Sequence, residues 1–544
     1  MRRSDRGIMS NTSGVDRIEP DGVFHGPDED SGSEADFGED EESDVGAGHQ
    51  DSVRPLLTSL RLANFKCYGM PAPNRSFDVP LAALTLLYGD NSAGKSTLLQ
   101  ALLTIAQTLD WVPGPDDTWP RVVLNGTHLR LGTFRDVVHR HEFSDRLMML
   151  GVSWRNRDGS DSAISFQFEY RENRGLLNKI DLELAGGKVS ACRHSDMDGE
   201  RWVGPVLVGD EDVASFLIGA VEGEKLATSL PNLPDAEIQW PSGPVQPVVS
   251  LAGTWMGSVV AWMSPDGRIS EAHPTVAAAS ANFFGGIRRS LGEAFGGIRH
   301  LGPDRVLPRG HPVRDGDEVA GAGSDGRHLV PLLASNRDAL VGKLNEVLEN
   351  PLGLPYKLEI LRYRRLALDS DTGQTGEDLD SEISDLGWGQ DFLDVVLVRG
   401  GIPVAIGSGG YGFNHLLSIL AEALREKSWP LLIEQPETHI NPRLQANMAE
   451  FLLNSARGPE GGSQMIIETH SENILLRLQA LVAGHPALAD DISVVSVIPA
   501  ITGDSALPRH EGWSSDGDLH PGPGDVFPEA RLRAVDVTRG FYAG

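Results

Sequence analysis

Residues 83–103 read ALTLLYGDNSAGKSTLLQALL, and this stretch decides the fold of the chain. It opens with a short apolar run that is typical of a buried strand and closes with leucines at helical spacing. Between them, GDNSAGKST fits the pattern G-x-x-x-x-G-K-[ST], in which backbone N–H groups wrap around phosphate oxygens. A strand, a glycine-rich loop and a helix in this order predict an α/β fold with a nucleotide site.

Each residue type in this loop has a chemical role in holding ATP. Glycines let the backbone approach the phosphates, Lys95 reaches the β- and γ-phosphates, and Ser96 coordinates Mg²⁺. The predicted cofactors are therefore ATP and Mg²⁺. The predicted ATP-binding residues of the loop are Gly89, Asp90, Asn91, Ser92, Ala93, Gly94, Lys95, Ser96 and Thr97.

A second motif, LLIEQPETHINP at residues 431–442, begins with an apolar strand that ends in Glu434. A carboxylate at the end of such a strand can orient the magnesium shell opposite the phosphate loop, so Ser96 and Glu434 are the predicted metal ligands. Taken alone, a glutamate in this position is also typical of an ordinary surface carboxylate. The accompanying motifs favour the functional interpretation.

A third motif, QMIIETHSE at residues 464–472, delivers Thr469 and His470 to the carboxyl end of another apolar strand. Ligands of α/β folds collect at that edge of the sheet, so His470 is a candidate contact of the γ-phosphate. The alternative is a histidine that forms hydrogen bonds for structural reasons.

A fourth motif, IGSGGYGFNHLLSIL at residues 406–420, is a glycine-rich turn that leads directly into an apolar helix. The N–H groups at the start of such a helix provide a second place that can bind an anion. A flexible loop that caps a core helix is the alternative.

The middle of the chain differs from its two flanks in residue composition and in the spacing of its apolar residues. Apolar residues alternate from Met148 to Trp154 and again from Ile164 to Tyr170, which predicts an antiparallel meander. Residues 205–300 are rich in glycine, alanine and proline and are interpreted as an irregular, partly helical insertion. Strands and helices alternate in both flanks, which favours a mostly parallel core sheet. The predicted divisions are 1–55 (acidic disordered tail), 56–140 (first part of the core, with the phosphate loop), 141–300 (β-rich part and insertion), 301–485 (second part of the core) and 486–544 (strand and loop-rich extension).

Composition restricts the classes of protein and partner. The formal charge is -30, and residues 1–51 hold 15 acidic residues against four arginines, a local balance of -11. Such a surface repels nucleic acid over most of its area, so DNA contact needs a local basic patch. Two cysteines give no disulfide framework, and the sequence lacks an apolar run of membrane-spanning length and an apolar signal segment. Cytoplasmic residence is expected.

The phosphate loop, the glycine-rich helix start, the IEQPE strand and the THSE strand come in the order used by ABC-type ATPases. The sequences of these motifs resemble those of the OLD-class predicted ATPases. Three further stretches also resemble that class: SLRLANFKCYG from Ser59, LGTFRDVVH from Leu131 and HLGPDR from His300. This resemblance covers residues 56–140 and 300–480. It implies an ABC-type P-loop ATPase head with a mostly parallel core sheet, to which the β-rich part and the insertion are added.

The resemblance also implies a head-to-head dimer, in which Lys95, Ser96, Glu434 and His470 of one subunit hold ATP. The glycine-rich helix start of the other subunit would then close on the nucleotide. Two alignments with the Ser-Gly-Gly core of the ABC signature stay open, and the candidate residues are Ser408, Gly409, Gly410, Gly412 and Asn414. The implied partners are a second copy of the chain, DNA and a separate effector protein, with no membrane partner.

The sequence departs from the ABC pattern at Gln435, where many of these ATPases place the glutamate that polarises the attacking water. An amide cannot accept that proton. Either hydrolysis is slow, or Glu437 in the same turn supplies the base. The predicted catalytic residues are Glu434, Gln435, Glu437 and His470.

These features favour a Mg-ATP-hydrolysing enzyme that acts on or near DNA, with a separate effector in phage defence. The expected roles in DNA binding and in phage defence rest on the family resemblance alone. An ATP-gated dimeric binding module with little turnover is the alternative, which Gln435 favours. A metabolite kinase needs only the phosphate loop, and the other motifs argue against it. Residues 471–544 are too short for the metal-dependent domain of OLD-class nucleases, so no nuclease is expected in this chain.

Overall fold

The structure is a computed structural model, and the residues that it describes lie within Ser52–Gly544. The predicted acidic tail, residues 1–55, lies outside the described part except for Pro55. The described ranges are 55–110, 119–142, 147–171, 173–184, 187–193, 206–209, 246–250, 258–264, 268–307, 311–312, 321–365, 390–406, 410–425, 430–458, 462–500 and 505–521.

The strands are numbered along the chain. They are β1 (Leu56–Ala63), β2 (Phe77–Pro80), β3 (Leu84–Gly89), β4 (Met148–Arg155), β5 (Asp161–Arg171), β6 (Arg174–Leu184), β7 (Gly187–Arg193), β8 (Val206–Gly209), β9 (Gln246–Ser250), β10 (Val259–Met263), β11 (Ile269–Glu271), β12 (Arg299–Leu301), β13 (His311–Pro312), β14 (Lys357–Arg365), β15 (Gln390–Arg399), β16 (Ile402–Ala405), β17 (Leu431–Glu434), β18 (Met465–Glu468), β19 (Ile492–Ile498), β20 (Leu507–Trp513) and β21 (Leu519–His520).

The helices are numbered in the same way. They are α1 (Lys95–Leu109), α2 (Phe134–Val137), α3 (Pro274–Phe295), α4 (Leu329–Ser335), α5 (Gly342–Glu349), α6 (Tyr411–Ala423), α7 (Pro442–Arg457) and α8 (Glu472–Gly484). Short 3-10 turns cover His139–His141 and Pro486–Asp491, and a π-helical turn covers Arg337–Val341. Among the described helices, none is both long and apolar enough to cross a membrane.

The core sheet has the strand order β12-β17-β18-β3-β19-β20-β21. Strands β12 to β19 in this order pair in parallel, and β20 and β21 add antiparallel neighbours at one edge. The predicted α/β fold with a mostly parallel core sheet is therefore confirmed. Because parallel strands end at the same edge, the ends of β3, β17 and β18 bring the motifs together there.

Both faces of this sheet are covered, which explains why its strands are continuous apolar runs. Successive side chains point to opposite faces. Leu432 and Ile466 belong to a buried cluster that includes the leucines of α1 and the antiparallel sheet. Ile433 and Ile467 belong to a second cluster, which includes apolar residues of α6, α7 and α8.

The predicted antiparallel β-rich part is also confirmed. The order β11-β10-β9-β8-β7-β6-β5-β4-β1-β2 is antiparallel throughout, and β4, β5 and β6 form the expected meander. Strand β1 belongs to this sheet although it precedes the phosphate loop in sequence, because it pairs with β4. The insertion contributes α3, whose residues Val276, Phe284 and Leu291 are buried at helical spacing. Residues 210–245 of the predicted insertion lie outside the described part.

A buried ion-pair network attaches α6 to β12. Arg299 on β12 donates from Nη1 to the Glu422 carboxylate at 2.7 Å and to the Glu422 carbonyl at 2.6 Å. Its Nη2 donates to Ser463 Oγ at 2.7 Å, and Arg425 reaches the same carboxylate at 3.2 Å. Glu422 is 2% exposed. This network fixes the far end of the helix that begins at the fourth motif.

Candidate nucleotide site

The phosphate loop connects β3 to α1, and two of its glycines are required by close contacts. Gly89 has φ +153° and a Cβ there would lie 2.5 Å from the carbonyl oxygen of Val497. Gly94 has φ +115° and a Cβ there would lie 2.5 Å from Cys67 Sγ. Residues with a side chain would push the loop away from its supports, so the two glycines set its path.

The beginning of α1 is suited to an anion. Gly94 supplies no side-chain cap, and the first turn carries no acidic residue. The unpaired N–H groups of such a turn and the helix dipole favour negative charge. Asp90, Asn91 and Ser92 are exposed at the tip of the loop, whereas Ala93 is buried.

Lys95 lies buried under the loop, with 3% of the residue exposed. Its Nζ donates to the carbonyl oxygens of Gly89 at 3.0 Å and Asp90 at 2.8 Å. Burial lowers the pKa of Lys95, and Glu468, Asp90 and Glu437 oppose that shift. The lysine thus stabilises the loop by donating to the loop's own carbonyl oxygens.

The FKCY turn after β1 contacts the phosphate loop and the first turn of α1. The Tyr68 hydroxyl donates to the Gly94 carbonyl oxygen at 3.1 Å, and Cys67 Sγ lies 3.7 Å from Thr97 Oγ1. Burial raises the pKa of the Cys67 thiol, partly offset by the hydrogen bond to Thr97. The resemblance included this stretch in SLRLANFKCYG without giving it a role, and the structure places it in contact with the phosphate loop.

Glu468 is a site residue that sequence reasoning missed. It ends β18, lies between β17 and β3, and is 4% exposed. Its Oε1 is 3.8 Å from Lys95 Nζ, and the Ser96 hydroxyl is a further hydrogen-bond partner. Burial raises the pKa of Glu468, and Glu434 and Glu437 raise it further, against the effects of Ser96 and Lys95. The sequence feature that could have predicted Glu468 is the similarity of LLIE and MIIE, two buried strands that both end in glutamate.

Glu437 and His470 meet at the same edge of the sheet. Glu437 Oε1 accepts a hydrogen bond from the His470 backbone N–H at 2.7 Å, and its Oε2 accepts from Thr469 Oγ1 at 2.7 Å. Burial and the nearby Lys95 charge lower the pKa of His470, with Glu437 and Asp90 opposing them. The imidazole therefore lies within electrostatic reach of the phosphate-loop lysine and favours the neutral form.

Residues of the HLGPDR stretch, which begins on β12, hold Glu434 at the end of β17. His300 Nε2 lies 2.7 Å from Glu434 Oε1, and Arg305 Nη2 donates to the Glu434 carbonyl oxygen at 2.7 Å. Burial lowers the pKa of Arg305 to about 10, although Glu437 and Glu434 oppose the shift. Sequence reasoning singled out this stretch by resemblance alone, and the structure shows that it positions the end of β17.

Gln435 follows Glu434 in a left-handed backbone conformation, with φ +46°. Its N–H donates to the Glu468 carbonyl oxygen at 2.8 Å, and its own carbonyl accepts from Thr438 Oγ1 at 3.0 Å. Asn441 ends this turn and caps α7, because its side chain accepts from Leu444 N at 3.0 Å. The turn from Gln435 to Asn441, which contains Glu437, is therefore held at both ends.

In the fourth motif, Ile406 and the residues from Gly410 onward are described, whereas Gly407, Ser408 and Gly409 lie outside the described residues. Gly410 is exposed, has φ +88° and precedes α6. A Cβ at Gly412 would lie 2.1 Å from the His439 carbonyl oxygen, so this glycine allows α6 to pack on the turn after β17. Asn414 is 1% exposed and donates to the Gly410 carbonyl oxygen at 3.0 Å.

The arrangement therefore gathers Lys95, Ser96, Glu437, Glu468 and His470 around the phosphate loop. Asn414 is buried, and its contact with a partner's nucleotide stays a prediction. Within the described ranges, His, Cys, Asp and Glu side chains form no group of three or more that could hold a metal ion by themselves.

Residues 295–477 match an AAA-domain family model. Its description is "AAA domain, putative AbiEii toxin, Type IV TA system". The matched segment runs from the end of α3 into α8, and it contains the fourth motif, Glu434, Glu468 and His470. With the phosphate loop before it, this AAA-domain match supports the predicted ABC-type P-loop ATPase. The OLD-class resemblance stays a prediction, and no curated protein matches the chain.

Several solved structures show weak similarity to the chain. The Smc head domain of Pyrococcus furiosus, with an extended coiled coil and bound to the C-terminal domain of ScpA, is 13% identical, with 84% of this chain and 96% of that chain covered and a TM-score of 0.36. The SMC head domain from Thermotoga maritima is 9% identical, with 84% and 99% covered and a TM-score of 0.33. The recombination mediator protein RecF-ATPrS is 11% identical, with 84% and 98% covered and a TM-score of 0.30.

Proposed function

We propose that this protein binds and hydrolyses Mg-ATP as an ABC-type ATPase that forms an ATP-sandwich dimer. The observation that carries the proposal is the buried Lys95 ammonium beneath an uncapped helix start. A lysine and a set of free N–H groups in that position match the charge and shape of nucleotide phosphates. The side chains of Glu437, Glu468 and His470 at the same edge supply the acid, base and hydrogen-bonding groups that phosphoryl transfer uses.

The residues present suit Mg²⁺, which prefers oxygen ligands and is usually held by one or two protein groups together with substrate phosphates. Ser96 and Glu434 would hold it, and the cation would neutralise charge that develops on the phosphates. His300 and Arg305 fix the end of β17, so they keep Glu434 in position.

Dimerisation is proposed from the position of the fourth motif. Gly410 is exposed at the start of α6, and a Cβ there would meet no atom of the described residues within 4 Å. In the ABC arrangement this helix start completes the site of the partner subunit. Action on DNA, a separate effector and a place among the OLD-class ATPases are parts of the proposal that rest on the sequence resemblance.

Lys95→Ala is expected to weaken ATP binding by about 10- to 150-fold, since a hydrogen bond to a charged group contributes roughly 1.5–3 kcal/mol. Calorimetry with a slowly hydrolysed ATP analogue measures this loss. Lys343→Ala, which changes an exposed lysine on α5, is the matched control and should bind as the wild type does. Equal ATP affinity for wild type and Lys95→Ala would overturn the site assignment.

Saturating Mg-ATP is expected to convert the chain from monomer to dimer, because each site is completed by a second subunit. Sedimentation velocity on Glu437→Gln, whose slow turnover should trap the nucleotide, measures the change. A species that stays monomeric at every concentration of Mg-ATP would contradict the sandwich dimer while leaving ATP binding intact.

An ATP-gated binding module is the second candidate, and Gln435 is the observation that favours it. ATP turnover by the purified protein, with and without duplex DNA, separates the two candidates. Stimulation by DNA would favour an enzyme that acts on DNA. Tight ATP binding with negligible turnover in both conditions would favour the gated module.

A further inference from the structure

Glu434, Glu437 and Glu468 lie at the carboxyl edge of the core sheet, and Glu468 differs from the other two in how its oxygens are paired. Glu434 Oε1 lies 2.7 Å from His300, and both oxygens of Glu437 accept hydrogen bonds. Glu468 Oε2 is buried and has no hydrogen-bond partner among the described residues. The most deeply buried of these carboxylates therefore has one oxygen whose lost hydration no hydrogen bond from the described residues compensates.

This incomplete pairing is costly, because a buried carboxylate is stable only when charges and hydrogen bonds compensate its lost hydration. Its ion pair with Lys95 is long, with 3.8 Å between Oε1 and Lys95 Nζ, and the Ser96 hydroxyl is its other partner in the described part of the chain. The Lys95 ammonium also donates hydrogen bonds to the carbonyl oxygens of Gly89 and Asp90. The fold thus holds an acceptor beside Ser96 that a further cation would satisfy.

The position of Glu468 in the sheet explains why it can serve two partners. Strand β18 lies between β3, which leads into the phosphate loop, and β17, which ends in Glu434. Glu468 pairs in register with Glu434 on one side and with Leu87 on the other. It therefore lies between the lysine that would contact the phosphates and the carboxylate on the neighbouring strand.

We propose that Glu468 is a partner-exchanging carboxylate of the nucleotide site. It holds Lys95 when the site lacks nucleotide, and it takes the divalent cation beside Ser96, directly or through a hydration water, when Lys95 moves to the phosphates. This inference rests on the proposed function, because it requires that Mg-ATP binds at the phosphate loop.

The exchange has a measurable consequence, which is the coupling between Mg²⁺ and ATP. In wild type, a buried negative charge near the phosphates opposes ATP without metal and favours ATP with metal. Glu468→Gln removes that charge at nearly constant shape. ATP affinity in EDTA should therefore rise or stay level, and the ratio of ATP affinities with Mg²⁺ and with EDTA should fall by about 10- to 100-fold, the range for loss of a group that supports a bound metal.

The experiment measures binding of a slowly hydrolysed ATP analogue by calorimetry, in EDTA and in saturating Mg²⁺. Glu511→Gln is the matched control, because Glu511 is also buried in the core sheet but lies on β20 and pairs with Arg509. The control should keep the wild-type ratio. A Glu468→Gln ratio within about twofold of wild type would overturn the proposal, since a purely structural glutamate would change stability and leave the coupling intact.

A second variant keeps the test valid if Glu468→Gln does not fold. Glu468→Asp preserves the charge but withdraws it by one methylene, so the Mg²⁺ dependence should be partly lost, and an unchanged ratio would overturn the proposal. Wild type that binds no ATP in either condition would overturn the proposed function itself. Wild type that binds Mg-ATP, with both variants matching it, would overturn the role of Glu468 alone.

Discussion

Glu437→Gln is expected to lower ATP turnover by about 10²–10⁴-fold, the range for a positioned general base. The carboxylate is held by the Thr469 hydroxyl and the His470 N–H, so groups of the chain itself set its orientation relative to the phosphate loop. It also interacts electrostatically with Lys95. Steady-state ATPase assays measure the loss, and ATP affinity should change much less than turnover.

Gln435→Glu is the companion variant. It places a further negative charge beside Glu434, Glu437 and Glu468, so turnover should stay level or fall. The opposite pattern, with turnover raised by Gln435→Glu and untouched by Glu437→Gln, would refute the assignment of Glu437. That result would mean that Gln435 marks a weakened hydrolytic site, and it would favour the ATP-gated binding module.

Glu422→Ala is expected to destabilise the fold by about 3–5 kcal/mol, because it leaves the buried Arg299 guanidinium without its carboxylate. Glu422 also accepts a hydrogen bond from the Ala322 N–H, which would lose its partner. Burial already lowers the pKa of Arg299, and Glu422 opposes this shift. Urea unfolding at unchanged slope measures the loss as a lower midpoint.

The control replaces the whole pair by apolar side chains, Arg299→Met with Glu422→Leu. Swapping a buried ion pair for apolar residues is often neutral, so the double variant should recover most of the lost stability. A single variant as stable as wild type would show that the network contributes little. A double variant as unstable as Glu422→Ala would locate the loss in packing and in the unpaired Ala322 N–H, and not in the unpaired charge.

The sequence by itself determined the elements and their motifs. The phosphate loop, the LLIE and MIIE strands and the alternating residues of the meander were predictable because each depends on local periodicity or on backbone rules that act within a few residues. Lys95 and Ser96 follow from the loop pattern alone. The mostly parallel core sheet followed from the alternation of strands and helices.

The tertiary structure alone decided which side chains meet. His300 and Glu434 are 134 residues apart, and they meet because β12 pairs with β17. Glu468 became a neighbour of Lys95 because β18 lies directly beside β3, a strand order that local patterns do not encode. Asn414, a candidate from the signature alignment, donates to the Gly410 carbonyl oxygen at the start of its own helix, and its role toward a partner's nucleotide stays a prediction. Side-chain partners across strands depend on register and on packing between distant segments, so they emerge only when the whole sheet is assembled.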